Sequence, residues 1–205
     1  MVVPIDYNYA LSIDPGLASF GVAVWRYPPD EEFGGDGTRL HHARTIEPDR
    51  ASSRWMPGFK AVHEAFAEWA VDWEFGEPYR HVVYESAQVY SHQVGNESNV
   101  LQLAGALGAI ATYKKMPPMG HLNRWHGYKP KVWTKQRPKQ ANWVRILDRL
   151  SDEERSKIVV ETHADVPLIE RAKNDASSRR DGVGVGKHDD AIMAIGVGLF
   201  HTHRL

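Results

Sequence analysis

Short apolar runs and helically spaced apolar positions alternate along the chain, and they predict strands and helices in turn. Residues 9–13 and 21–25 are apolar, and Pro15 and Gly16 between them are turn residues, so the two runs predict a pair of strands joined by a tight turn. Residues 39–46 predict a more polar third strand. Residues 81–87 predict an apolar strand with β-branched side chains.

Later segments have the spacing or the composition of helices. Residues 55–75 place Val62, Phe66 and Trp69 on one stripe, which is typical of a helix packed on a core. Residues 99–113 are rich in Ala and Gly, and their small-residue face could pack on the sheet or on a second copy of the chain. That face consists of Ala104, Ala106, Gly108 and Ala111. The remaining predictions are helices over residues 139–150 and 187–203, a strand over residues 121–125 and a mobile loop over residues 173–186.

The composition limits the class of protein. The chain has 205 residues, which fits one domain over residues 1–205, and its apolar share of 42% allows a sizeable core. It contains no cysteine, which excludes a disulfide framework, a thiol nucleophile and a cysteine-based zinc site. We recognise neither a secretory leader nor an apolar run long enough to cross a membrane, so we expect a cytoplasmic protein.

Positive charge is concentrated in one part of the chain, although the net charge is only −1. Residues 98–147 contain no Asp or Glu, and aromatic residues are interleaved with the basic ones there. This mixture suits a phosphate backbone with exposed bases, but it also suits a solvated basic face beside tryptophans of the core. The basic residues are Lys114, Lys115, Arg124, Lys129, Lys131, Lys135, Arg137, Lys139 and Arg145. The aromatic residues are Tyr113, Trp125, Tyr128, Trp133 and Trp143.

Acidic residues stand where strands end or a helix begins. Asp14 follows the first predicted strand, and Glu85 follows the apolar part of the strand predicted over residues 81–87. Asp189 and Asp190 lie at the start of the last predicted helix. Each alone has an ordinary explanation, since Asp favours turns and acids favour helix N-termini. Adjacent acids are harder to explain, because only one can cap the helix and the two charges repel. Together the four carboxylates predict an oxygen-ligand cluster for Mg²⁺ or Mn²⁺, of the kind that two-metal phosphodiester hydrolysis requires.

The order of these motifs resembles that of the RuvC-type Holliday junction resolvases of the RNase H-like superfamily. The segment IDPGLASFGVAVW is similar to the family's first strand pair, VVYESAQVY to the strand with the catalytic Glu, and KHDDAIMAIGVGLFH to the final helix. The resemblance covers most of the chain and implies an α/β fold of the RNase H-like type, with a central mixed β-sheet flanked by helices. It implies that the catalytic metal ligands are Asp14, Glu85, Asp189 and Asp190.

The last motif departs from the bacterial pattern. Bacterial members place another acid or a His where this chain has Lys187, and the Lys-x-Asp-Asp form is more similar to the mitochondrial and viral branch. We therefore assign the fourth ligand to Asp189, with His188 as the alternative. A phage origin is compatible with this form, and the protein would then act in the host cytoplasm.

The resemblance also implies partners. It implies a homodimer, formed through the Ala/Gly-rich helix, that presents two metal clusters to a four-way DNA junction and nicks two opposing strands. Tyr90 is similar in placement, although two residues later, to the aromatic residue that stacks at the junction centre in this family. The residues that we expect to hold the DNA backbone are Lys131, Lys135, Arg137 and Lys139.

Three other functions remain open from the sequence. Another RNase H-like nuclease, acting on RNA–DNA hybrids or flaps, would share the ligand set. An actin-like ATPase or sugar kinase also has an Asp-x-Gly motif after a strand, but such chains normally need two related lobes. A junction-binding module without activity is disfavoured by the presence of all four acids. Comparison of substrates separates these functions.

Overall fold

The computed structural model contains one five-stranded sheet with helices on both faces. The described residues are 7–16, 19–47, 58–72, 79–86, 97–113, 116–117, 124–135, 137–158 and 189–205. The strands are β1 (Asn8–Asp14), β2 (Phe20–Tyr27), β3 (Arg39–Ile46), β4 (Tyr79–Glu85) and β5 (Trp125–Tyr128). The helices are α1 (Gly58–Asp72), α2 (Glu97–Ala111), α3 (Pro130–Trp133), α4 (Lys139–Asp148), α5 (Asp152–Arg155) and α6 (Asp189–His201).

The sheet is mixed, and its strand order is β3-β2-β1-β4-β5. Strand β2 is antiparallel to β1 and β3, whereas β4 is parallel to β1 and β5 is parallel to β4. Strand β1 is paired on both sides, which explains why Ala10, Leu11 and Ile13 are all fully buried. A five-stranded sheet in this order, with β2 alone running against the others, is the RNase H-like arrangement. The predicted fold class is therefore confirmed.

Side chains of successive strand residues point to opposite faces, and each face carries its own core. Leu11 and Ile13 belong to the core that includes Val62 and Phe66 of α1. Ala10 belongs to the other core, which contains residues of α3, α4 and α6. Helix α6 packs across β1, β2, β3 and β4 on this second face. The side chain of Asp14, four residues after Ala10, therefore points to the face that α6 covers.

Most predicted elements are confirmed within a few residues, and one strand is displaced. Strand β5 begins at Trp125, where the prediction over residues 121–125 ended; residues 121–123 lie outside the described part of the chain. The reason is that β5 is a four-residue edge strand containing Gly127, so it has no apolar alternation of its own. The predicted loop over residues 173–186 also lies outside the described residues. No helix within the described ranges is long and apolar enough to cross a membrane.

Candidate active site

Asp14 and Glu85 end neighbouring parallel strands. Strands β1 and β4 are paired as far as Ile13 and Tyr84, so the next residues along, Asp14 and Glu85, lie side by side at a strand spacing of roughly 4.8 Å. By strand alternation both side chains point to the α6 face, as those of Ala10 and Val83 do. Two acidic side chains from distant parts of the sequence therefore meet at one end of the sheet.

The start of α6 lies against the same end of the sheet, where β2 has a glycine. Gly21 of β2 is paired with Asp14, and a Cβ atom at Gly21 would stand only 1.8 Å from the carbonyl oxygen of Asp190. A residue with a side chain at this position would push α6 away from the sheet. On the next strand the Oγ1 atom of Thr45, which is paired with Gly21, accepts a hydrogen bond from the Ala191 N–H at 3.1 Å. The first turn of α6 is therefore anchored over the row of residues that contains Asp14.

The side chain of Asp190 is oriented by the residue that precedes β2. The hydroxyl of Ser19 donates a hydrogen bond to Oδ2 of Asp190. Asp14, Glu85 and Asp190 are all partly buried. The structure thus brings three of the four predicted carboxylates to one end of the sheet, while the side chain of Asp189 lies outside the described part. Tyr90, Lys187 and His188 lie outside it as well.

Glu85 occupies an environment that disfavours its charge. Burial raises the pKa of Glu85 to about 7, and the hydrogen bond from Trp133 and the charge of Lys139 oppose this rise only in part. The indole Nε1–H of Trp133 donates to Oε2 of Glu85 at 2.9 Å. A cation placed beside Glu85 would favour its ionised form. The carboxylate is therefore held in place by a neutral donor and lacks full compensation for its charge.

The donor atoms of this site suit a hard divalent cation. Carboxylate oxygens are the ligands that Mg²⁺ and Mn²⁺ prefer, and the chain has no cysteine to favour a softer metal. Within the described ranges, however, no group of three or more His, Asp or Glu side chains is arranged to hold a metal ion. The chemistry of the donor set fits the predicted metal, whereas the described side chains do not form a closed ligand group.

The basic residues and the aromatic residues of the acid-free segment separate in space. Trp133, Trp143 and Tyr113 are buried in the two cores, and Trp125 and Tyr128 are partly buried. The four basic residues predicted to hold the DNA backbone are all exposed, and we call them the basic surface: Lys131, Lys135, Arg137 and Lys139. The charge of Lys139 acts on Glu85, so this member of the basic surface lies near that carboxylate. These positions match the interpretation as a solvated basic face beside tryptophans of the core, and contact of this segment with a phosphate backbone stays a prediction.

Ser19 and Trp133 are contacts of the candidate carboxylates that sequence analysis did not identify. Trp133 is separated from Glu85 by 48 positions and Ser19 from Asp190 by 171. Trp133 stood out in the sequence only as one of the aromatic residues interleaved with the basic ones. No such signal existed for Ser19.

Comparisons with known proteins give matches only among solved structures. No family model matches the chain, and no curated protein matches it. The Thermus thermophilus RuvC structure matches at 15% identity and a TM-score of 0.49, covering 96% of this chain and 95% of that one. The fowlpox virus Holliday junction resolvase matches at 12% identity and a TM-score of 0.46, covering 96% and 99%. The yeast mitochondrial Holliday junction resolvase, Ydc2, matches at 13% identity and a TM-score of 0.41, covering 100% and 82%.

These matches agree with the predicted resemblance to RuvC-type resolvases. At these identities and TM-scores, the matches carry no statement about the chemistry of the site. The chain's own residues have to support any statement about activity.

Proposed function

We propose that the protein is a structure-selective DNA endonuclease that resolves four-way (Holliday) junctions by metal-dependent nicks in two opposing strands. The observation that carries this proposal is the meeting of Asp14, Glu85 and Asp190 at one end of an RNase H-like sheet, beside an exposed basic surface. Carboxylates alone repel a phosphate, so such a cluster acts on DNA only when cations neutralise it.

The proposed metal ligands are Asp14, Glu85 and Asp190 together with Asp189, for which His188 is the alternative. Mg²⁺ or Mn²⁺ held by these residues would supply activation of a water molecule and stabilisation of the leaving 3′ oxygen, and cleavage would then leave 5′-phosphate ends. The chain itself supplies the orientation of the ligands. Ser19 fixes one oxygen of Asp190, and Trp133 fixes one oxygen of Glu85.

The basic surface is proposed to hold the phosphate backbone of the junction arms. Its four cations are exposed and Lys139 adjoins Glu85, so DNA bound there would lie close to the carboxylates. Contacts of this kind position DNA without reading its sequence. Tyr90 is proposed, from the family resemblance alone, to stack at the junction centre.

A homodimer is proposed to form through α2. Ile110 of this helix is buried in the core shared with α1, but Leu101 is 71% exposed, Ala104 is exposed and a Cβ atom added at Gly108 would meet nothing. A large apolar side chain beside small residues suits close packing against a second copy. Sedimentation analysis tests this: we expect a dimer for the wild type and a monomer for Leu101→Asp, and a monomeric wild type would contradict the proposal.

The activity is tested by cleavage of a labelled immobile four-way junction, with linear duplex and an RNA–DNA hybrid beside it, in Mg²⁺ or Mn²⁺. The junction is the first substrate to test because similar structures include Thermus thermophilus RuvC in complex with a Holliday junction substrate. We expect paired symmetric nicks in the junction alone, abolished by Asp14→Asn. The matched control is Asp148→Asn, an exposed acid at the end of α4, which should leave cleavage unchanged.

Two outcomes would contradict the proposal. Cleavage of the hybrid in place of the junction would keep the metal cluster and assign another RNase H-like nuclease. Junction binding without cleavage of any substrate would assign a binding module.

A further inference from the structure

Helix α3 has one side in solvent and one side in the core. Lys131 and Val132 are exposed, Val132 to 47%, whereas Trp133 is 0% exposed. The indole ring packs against Gly196 of α6. A Cβ atom at this position would lie only 2.7 Å from Cζ3 of Trp133, so a larger residue would collide with the ring. From α4, Nη1 of Arg145 donates a hydrogen bond to the Trp133 carbonyl at 3.3 Å. Contact with α6 therefore fixes the ring, and the hydrogen bond from α4 holds the backbone of Trp133, before any ligand is considered.

The polar atom of this fixed ring points to the carboxylate of Glu85. The bond from Nε1–H to Oε2 is 2.9 Å long and joins α3 to the end of β4. An indole N–H is a neutral donor, so it sets the orientation of a carboxylate without neutralising its charge. A guanidinium partner would instead satisfy the carboxylate electrostatically and compete with a metal ion.

We propose that Trp133 is a positioning residue, whose indole N–H holds the Glu85 carboxylate in the orientation in which it binds a divalent cation. This inference rests on the proposed function, in which Glu85 is a metal ligand. Removal of a hydrogen bond to a metal ligand typically lowers metal affinity by roughly 10- to 100-fold. A tryptophan that served only to fill the core would have no such effect.

The chain offers a closely matched control in Trp25. Its side chain is also 0% exposed, in the same core. Its indole also packs on a glycine of α6, where a Cβ atom at Gly198 would lie 2.5 Å from Nε1. Its Nε1–H also donates to a buried side chain, the hydroxyl of Ser12 at 2.8 Å. The two tryptophans thus differ in the acceptor, which is a hydroxyl for Trp25 and a candidate metal ligand for Trp133.

The test compares Trp133→Phe with Trp25→Phe in the full chain. A third variant carries β-(3-benzothienyl)alanine at position 133, in which sulfur replaces the N–H group and the ring shape is kept. If Trp133→Phe does not fold, this variant still tests the loss of the hydrogen bond. Circular dichroism checks the fold of each variant. Titration calorimetry then measures Mn²⁺ binding without DNA, and steady-state cleavage of a four-way junction gives kcat and KM at several Mn²⁺ concentrations.

We expect both position-133 variants to bind Mn²⁺ at least about tenfold more weakly than the wild type. Their kcat should fall at low Mn²⁺ and recover as Mn²⁺ is raised, with KM for the junction nearly unchanged. Trp25→Phe should keep the wild-type Mn²⁺ affinity even where its melting temperature falls.

Wild-type Mn²⁺ affinity in the position-133 variants would overturn the inference, as would an equal loss of affinity in Trp25→Phe. Junction cleavage by the wild type would then leave the proposed function standing while the role of Trp133 is rejected. A wild-type protein that neither binds Mn²⁺ nor cuts any substrate would reject the function and the inference together.

Discussion

One glutamate lies at each end of the sheet, Glu154 buried and Glu85 partly buried, and the two differ in the groups that donate hydrogen bonds to them. At the end where β3 begins, Glu154 is 3% exposed and accepts hydrogen bonds from both terminal nitrogens of Arg204, at 3.0 and 2.9 Å. The backbone N–H groups of Leu40 and Ser151 add two more, each at 3.0 Å. Burial raises the pKa of Glu154, but Arg204 and these N–H groups outweigh it, so the pKa lies below its usual value. Its charge is fully compensated.

At the other end, Glu85 has a neutral indole as its hydrogen-bond donor, and burial raises its pKa to about 7. Helix α6 spans both ends, from Asp190 beside the candidate site to His201 near the Arg204 anchor. The comparison teaches that burial alone does not identify a functional carboxylate. A buried acid that is hydrogen-bonded to a cation is costly to leave without that partner, whereas an acid whose hydrogen-bond donor is neutral is a candidate for binding a cation.

Replacing each glutamate by glutamine should have opposite effects on stability. Glu154→Gln leaves Arg204 without its partner and should lower the free energy of unfolding by about 3 kcal/mol. Glu85→Gln removes a poorly compensated charge and should leave stability at pH 8 unchanged or higher. Urea denaturation in EDTA measures both. An equal fall in the free energy of unfolding in the two variants would show that the two carboxylates contribute equally to stability.

The basic surface, and not exposed basic residues elsewhere, should determine the salt dependence of DNA binding. A quadruple alanine variant of its four residues should reduce the slope of log affinity against log salt by about 3 to 4, since each lost phosphate contact removes nearly one counterion. The matched control replaces four other exposed basic residues. These are Arg39, Arg80, Arg149 and Lys157. Fluorescence anisotropy with a labelled junction measures both slopes, and an unchanged slope in the first variant would remove the basic surface from the DNA interface.

Acid should lower the free energy of unfolding through His201, which lies at the end of α6. Burial, together with the charges of the neighbouring His126, His81 and His203, lowers the pKa of His201 to about 4. Between the ordinary pKa of 6.5 and about 4, the unfolded chain binds a proton that the folded chain does not, so stability falls as pH falls. The loss should be about 2 kcal/mol, allowing for partial exposure of the ring.

The control for this effect is the neighbouring His203, which is exposed. His201→Asn should flatten the dependence of unfolding free energy on pH between 7 and 4, at the expense of the 2.9 Å contact between His201 Nδ1 and the Tyr128 hydroxyl. His203→Asn should keep most of the wild-type slope, because His203 contributes the smallest of the causes that lower the pKa of His201. A wild-type slope in His201→Asn would show that other groups cause the acid sensitivity.

The sequence predicted the fold and the positions of the acids well, because both depend on local patterns. Asp14 and Glu85 stand at the ends of strongly apolar strands, and the alternation within those strands determines which face each side chain occupies. The final helix is equally strong in pattern, with seven residues from Ala191 to Val197 buried. These features follow from residues that are close in sequence.

The parts that were not predicted depend on contacts between distant residues. The indole of Trp133 and the carboxylate of Glu85 meet because Gly196 allows α3 to approach α6, and no periodicity records that approach. The pairing of Arg204 with Glu154 is likewise a contact between the residues that follow α6 and the first turn of α5. Strand β5 was displaced because an edge strand receives its conformation from β4 and not from its own composition.

The central claim is that Glu85 serves the chemistry and Glu154 serves the fold, and single-turnover cleavage of a four-way junction tests it most directly. The measurement compares wild type, Glu85→Gln and Glu154→Gln at a temperature at which all three are folded. We predict that Glu85→Gln is fully folded but slower by at least about 10³-fold, and that Glu154→Gln is less stable but cuts at nearly the wild-type rate. Wild-type cleavage by Glu85→Gln would contradict the account.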